Sequence, residues 1–209
     1  MPTRMPKQPE SSVDQAAVRR VVAVARRQFL AHGFRSVSMD DLAAELGMSK
    51  KTLYVAFPSK NALIEAVLKD KFKEVEADLG QLAKEQAANV EQALHQFLRC
   101  VQRHTAEIQP AFVRDIGRET PELFHLVEQK RRELIQRYFG KLFEDGKKAG
   151  VIRTDIPTYL IIEILLGAVQ AIMNPARLME LGLTVEKGYS SVIRLVLEGT
   201  LVAKKKAVT

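Results

Sequence analysis

Along most of this chain apolar residues recur every three to four positions, and Val, Ile and Thr rarely alternate with polar neighbours. That period is helical, and strands are hard to find in it. Val18, Val22, Ala25 and Phe29 form the first apolar stripe, with Arg19, Arg20, Arg26 and Arg27 lying off it. Ser12-x-x-Gln15 has the form of a capping box, so the first helix is expected to start near Ser12. Gly33 stops it, as glycine does where a chain turns left-handed, and Phe34 is then free to tuck underneath as an anchor. Ser38 starts a second helix by capping the amide of Asp40 or Asp41, whose carboxylates suit the positive end of the helix dipole. Leu42, Ala43 and Leu46 face inward, and Gly47 ends this helix after barely two turns. Ser49 caps a third helix through Lys50 to about Phe57. Pro58 closes it, and Ser59 caps a fourth. Further helices are expected at about 60–80, 89–105, 108–117, 121–148, 156–174 and 185–203. Glycines and prolines mark the breaks, among them Gly80, Gly146, Gly150, Pro110, Pro121, Pro157 and Pro175, as does Asn89. The fold class is all-α.

Two short helices joined by a glycine turn match the helix-turn-helix unit, with Ala43 where the two cross and Leu42, Leu46, Met48 and Leu53 as its small core. The second helix of such a pair enters the DNA major groove with its N-terminal residues toward the bases. Here those are Ser49, Lys50, Lys51 and Thr52. Lysine can donate to guanine O6 and N7, and threonine can meet a phosphate or a thymine methyl. Tyr54 lies one turn on and can reach a phosphate oxygen, Lys60 can hold another, and Ser38 and Met39 lie beside the backbone. The plainer reading makes Lys50 and Lys51 solvated surface lysines and Tyr54 half-buried packing.

Charge by itself suits a nucleic-acid surface and a solvated basic face equally. The net charge is +7, and residues 1–60 carry ten basic and five acidic groups against 22 and 20 in the rest. A basic patch attracts phosphate backbones or an anionic membrane. The apolar run from Tyr159 to Met173 contains Glu163 and Gln170 and falls short of the ~20 residues of a membrane span. The N-terminus has no apolar core of signal-peptide length. A single cysteine, Cys100, allows no intrachain disulfide, and a reducing cytoplasm is expected.

The stretches "ARRQFLAHGF", "SMDDLAAELGMSKKTLYVAFPSK" and "NALIEAV", between Val21 and Val67, resemble the DNA-binding domain of TetR-family transcriptional regulators. The likeness is close over about a quarter of the chain and elsewhere rests on length and helix count. It implies an all-α homodimer that binds double-stranded operator DNA through its N-terminal domain and a small effector through a larger C-terminal domain. By the motif, Lys50, Lys51, Thr52 and Tyr54 align with recognition-helix positions and Lys60 with a backbone-contacting lysine. Val55 and Ala56 stand where an aromatic or histidine pair is frequent, and Lys51 where glycine is common.

The expected organisation is a disordered tail over 1–11, a helix-turn-helix domain over 12–62, an effector and dimerisation domain over 63–203, and a tail over 204–209. The last two helices are apolar on more than one face, through Leu160, Ile161, Ile164, Leu165, Val169 and Ile172, then Val192, Ile193, Leu195, Val196 and Leu201. Such helices need cover on more than one side, which two chains pairing into a four-helix bundle would supply. The resemblance implies an effector cavity, expected among Phe97, Cys100, Val101, His104, Phe112, Ile116, Phe124, Tyr138 and Gln170, and its apolar lining without excess acid suits a small hydrophobic or anionic effector. Carboxylates such as Asp115, Glu119 and Glu122 read as solvated helix ends. Glu91 and His95 share a helix face, but no H-E-x-x-H and no cysteine pair is present, so no metal is expected. No glycine loop cradles a phosphate, and no cofactor or catalytic group is expected. The function implied is a ligand-responsive repressor released from a palindromic operator by its effector. The alternatives are a DNA-binding helical protein without a sensor, and a helical enzyme with an incidental turn.

Overall fold

The computed structural model describes residues 15–84 and 90–201. The expected tails, the Ser12 cap and the break at Asn89 lie outside the described residues. Eleven α-helices follow one another: α1 (Gln15–His32), α2 (Met39–Leu46), α3 (Lys50–Ala56), α4 (Lys60–Lys84), α5 (Val90–Ala106), α6 (Pro110–Glu119), α7 (Pro121–Leu134), α8 (Gly140–Lys148), α9 (Thr158–Ile172), α10 (Pro175–Glu180) and α11 (Val185–Thr200). Among the described residues there is no strand, only an isolated antiparallel bridge between Ile152 and Leu201.

The expected 121–148 helix runs from α7 to α8 through a π-helical turn, Ile135–Phe139. That turn inserts a residue and points Ile135, Tyr138 and Phe139 into the core together. The short α10 was not expected. Asn174 caps it, its side chain accepting from the Ala176 amide at 3.0 Å.

Two apolar cores share one helix. The first gathers α1, α2, α3 and the start of α4, including Val21, Phe29, Leu42, Leu53, Leu63 and Val67, and it takes in Phe112 and Ile116 from α6. The second gathers Leu79 of α4 with α5, α7, the π turn, α8, α9 and α11. The expected division between 62 and 63 therefore falls inside α4, whose Leu63, Ile64, Val67 and Leu68 pack in the first core. On α1 the deepest side chains are Val21, Ala25, Phe29 and Leu30, while Val18 and Val22 are partly buried at the edge. Ala25 and Phe29 are buried as expected, and the stripe widens to take in Val21 and Leu30, since α1 is covered by both α4 and α6.

Local chemistry sets the helix-turn-helix. Ser38 and Asp41 form a reciprocal capping box, with the Asp41 amide donating to Ser38 Oγ at 3.0 Å and the Ser38 amide donating to Asp41 Oδ2 at 2.9 Å. Gly47 takes φ +64°, so Met48 N–H can return to the Ala43 carbonyl at 3.0 Å and the chain turns sharply into α3. Leu53 and Phe57 then fix α3 to the core.

Asp115 is not a solvated end. It is 4% exposed, and its Oδ2 accepts the Arg35 amide at 2.9 Å. This α6 carboxylate holds the turn after α1 while Phe34 stacks edge-on between Phe29 and Phe112. Gly33 sits in that turn at φ +77°, and a Cβ there would lie 2.5 Å from Asp115 Oδ2. Gly33→Ala should therefore destabilise the protein by about 1–3 kcal/mol, from the left-handed backbone and the clash together. Urea unfolding measures this, and an unchanged midpoint would show that α6 does not press on the turn.

Candidate functional site

The outer face of α3 is built by a cap and an anchor. Ser49 Oγ accepts the Thr52 amide at 3.0 Å and pairs with Thr52 Oγ1 at 2.8 Å. With Leu53 fully buried beneath, Lys51, Thr52, Tyr54 and Val55 are left exposed. Lys50 is exposed too, but it pairs with Asp40 at 2.8 Å, and that bond raises its pKa. Lys60 is half-buried at the start of α4. Burial lowers its pKa, against the pull of Asp115 and Asp41. Ser38 is exposed and occupied with its capping box. Met39 departs from expectation. It is 5% exposed and part of the first core, so its side chain lies inward and not on the outer face.

Arginines expected merely off the α1 stripe serve as braces. Arg27 and Gln28 both bond Glu45 of α2, and Arg20 reaches the Leu46 carbonyl at 3.4 Å.

Above the first core lies a cavity of about 180 Å³, between α4, α5, α6, α7, α9 and α11. Of the residues expected there, Val101, His104, Phe112, Ile116 and Phe124 line it. Phe97 and Tyr138 do not. They stack on each other in the second core, with Phe97 also edge-on to Phe139 at 5.6 Å. Cys100 opens the other way, beside Asp78, Arg99 and Arg103, and burial raises its thiol pKa. Gln170 is exposed on the far side of α9. Helical period gives an inward face but not which of several inward spaces it meets.

The cavity wall also carries charged groups that were not anticipated: Lys71 of α4, with Glu128 and Arg131 of α7. Lys71 is 7% exposed. Its ammonium bonds Glu107 and lies 2.9 Å from His104 Nδ1. Glu107, in the α5–α6 turn, also accepts from Arg26 of α1 at 2.7 Å, and Arg26 reaches Asp70 at 3.3 Å and Glu74 of α4. Burial opposes both Arg26 and Glu107, yet their mutual bonds and those to Glu74 and Lys71 outweigh it, raising the Arg26 pKa and lowering that of Glu107. The cavity is thus joined to α1 through Lys71, Glu107 and Arg26.

His104 Nε2 lies 2.8 Å from Asp78 Oδ2, which also meets Arg103 at 2.6 Å. Asp78, Cys100 and His104 bring three possible metal donors within 4.8 Å. Both imidazole nitrogens are engaged, and the neighbouring Lys71 ammonium is a poor companion for a metal cation.

On the opposite flank α9 and α11 each bury one face and leave another bare. Tyr159, Leu160 and Ile164 are exposed on α9, and Leu195 is 75% exposed on α11. Among the described residues no helix is long and apolar enough to cross a membrane.

Residues 21–67, which span α1 to α4, match the family described as bacterial regulatory proteins, tetR family. An uncharacterized HTH-type transcriptional regulator, YvaF of Bacillus subtilis (strain 168), is 42% identical over 64 residues, 29% of this chain and 33% of its own length. The match thus spans about a third of that relative. A TetR transcription regulator from Haloarcula marismortui ATCC 43049 shares the fold, with a TM-score of 0.70 at 16% identity over 90% of this chain and 100% of its own. The flavonoid-responsive regulator FrrA aligns at 27% identity with a TM-score of 0.53, over 91% of this chain and 100% of its own.

Burial and the Lys71 charge lower the His104 pKa below its ordinary 6.5, against the bond to Asp78. The folded protein therefore keeps His104 neutral, with Nδ1 accepting from Lys71 and Nε2–H donating to Asp78. As pH falls below 6.5 the unfolded chain takes up a proton there that the folded chain refuses, so stability is lost toward acid. His104→Gln preserves one acceptor and one donor but cannot titrate. Between pH 7.5 and 5.5 the wild type should lose more stability than this variant, the gap widening as pH falls. Parallel melting curves across that range would show that His104 is not held neutral.

Proposed function

We propose that this chain, whose residues 21–67 match the tetR family of bacterial regulatory proteins, is a ligand-responsive repressor that binds a palindromic operator as a homodimer. The observation that carries the DNA-binding reading is the bare outer face of α3. Lys51, Thr52 and Tyr54 project from a helix whose other side is locked by Leu53 and Phe57. A rigid helix with polar and basic groups outward is what major-groove reading requires. Lys50 would exchange the exposed Asp40 for a base edge, a cheap exchange because surface ion pairs contribute little. Lys60 would hold a phosphate.

The bare apolar strips of α9 and α11 support the dimer, two copies packing them together as a four-helix bundle. Two α3 helices would then meet successive major grooves about 34–36 Å apart. The cavity supports a sensor, as does the likeness to FrrA, which is named as flavonoid-responsive. A ligand there would bear on Lys71 and so on the Glu107–Arg26 link to α1, shifting the heads relative to the bundle. Operator affinity would fall by the ratio of ligand affinities for the two arrangements.

The direct test is fluorescence anisotropy on the DNA upstream of the protein's own coding sequence. Specific binding is expected. Lys60→Ala should weaken binding to all duplexes alike and reduce the salt slope by about one. Lys50→Ala should relax preference at a single base pair. If the wild type favours no duplex over random DNA even at low salt, the reading fails. In sedimentation the protein should run as a dimer and Ile164→Glu as a monomer, and a wild-type monomer at micromolar concentration would refute the bundle.

A further inference from the structure

Among the described residues before α9, Tyr54 and Val55 are the only large apolar side chains left exposed, and Val55 is the barer at 60%. Tyr54 carries a hydroxyl that suits a phosphate. Val55 carries no polar atom at all. A single bare valine on a helix surface means little by itself. This one is given meaning by where α3 places it.

An α-helix turns about 100° per residue. Leu53 is fully buried and marks the inward direction of α3. Lys51 and Val55, each two residues from Leu53, therefore lie about 160° away from it, one on either side. They point most directly away from the core, while Thr52 and Tyr54 stand on the flanks. Lys51 and Val55 are also one turn apart, about 5–6 Å along the axis, which is less than two base-pair steps of about 3.4 Å. Where Lys51 stands over the floor of a groove, Val55 stands over it too.

The floor of the major groove offers donors and acceptors on every base pair but one kind of apolar group, the C5-methyl of thymine. Val55 pressed on a donor or acceptor would strip its water and return no hydrogen bond. Pressed on the methyl, it removes apolar surface from water on both sides. Resting on the reading of α3 as the recognition helix, we infer that Val55 is a specificity-determining residue that packs on the C5-methyl of a thymine in each half-site, within one or two base pairs of Lys51.

Thymine-to-uracil exchange tests this, because it deletes the C5-methyl and keeps the hydrogen-bonding edge. The operator found by footprinting the DNA upstream of the protein's own coding sequence is remade with each thymine replaced in turn, in both half-sites. Full-length wild type and Val55→Ala are then titrated by fluorescence anisotropy. Val55 is exposed and alanine is the better helix former, so the variant should fold. One methyl group withdrawn from water corresponds to roughly three- to fourfold in affinity, and two half-sites to roughly tenfold. The wild type should lose about tenfold at a thymine where Val55→Ala binds the thymine and uracil duplexes alike. Three results would overturn the inference and leave the DNA-binding reading standing. The wild type is indifferent to every uracil; or Val55→Ala keeps each loss in full, so that another side chain such as Thr52 meets the methyl; or Val55→Ala weakens operator and random duplexes equally, which puts Val55 on the backbone. If the wild type prefers no duplex at all, the reading of α3 falls and the inference with it.

Discussion

One carboxylate, Glu107, stands between two cations from different helices, Arg26 of α1 and Lys71 of α4. Lys71 lies on the apolar stripe of α4, between Val67 and Val75, where its charge is tolerated only because a partner meets it. Removing either member would strand the other in a half-dry place. The two cores are therefore tied by an interaction that is strong only while complete. Because Lys71 also forms part of the cavity wall, whatever occupies the cavity shares a side chain with the link to α1.

The second tie is geometric. Asp115 and Phe112 of α6 press into the turn at Gly33 and Phe34, and Gln109 N–H reaches the Leu30 carbonyl at 2.9 Å. The end of α1 is held by α6 and its middle by Glu107, so α6 and the α5–α6 turn both bear on the helix that leads into the helix-turn-helix. Packed interiors shift between discrete arrangements and do not bend smoothly, which suits a switch more than a graded response. The direction of α3 is set locally, by the Ser49 cap and the buried Leu53.

Much of the N-terminal half was legible in the residues alone. The caps at Ser38 and Ser49, the turns at Gly33 and Gly47 and the inward set Leu42, Ala43, Leu46 and Leu53 are local devices, acting within a few residues, and each stands where its chemistry requires it. Two further signals were present and went unread. Lys71 and Arg131 interrupt apolar stripes, Arg131 lying between Val127 and Leu134 on α7. A charged residue in register with an apolar face must find a buried partner, so each marked a polar spot in the interior. What could not be read was which partner: Glu107 is 36 residues from Lys71 and 81 from Arg26.

What the sequence determined by itself was thus a set of features that depend on near neighbours: the starts and stops of most helices, though not of α10, the helix-turn-helix, the outward set of Lys50, Lys51, Thr52 and Tyr54, and the apolar excess of α9 and α11. Tertiary structure alone decided that Met39 and Asp115 turn inward, that Phe97, Cys100, Tyr138 and Gln170 stay off the cavity wall, and that Lys71, Glu128 and Arg131 stand on it. The reason is the range of the forces. A cap or a glycine turn closes a hydrogen bond across three or four residues, whereas a cavity exists only where helices far apart in the chain fail to fill the space between them.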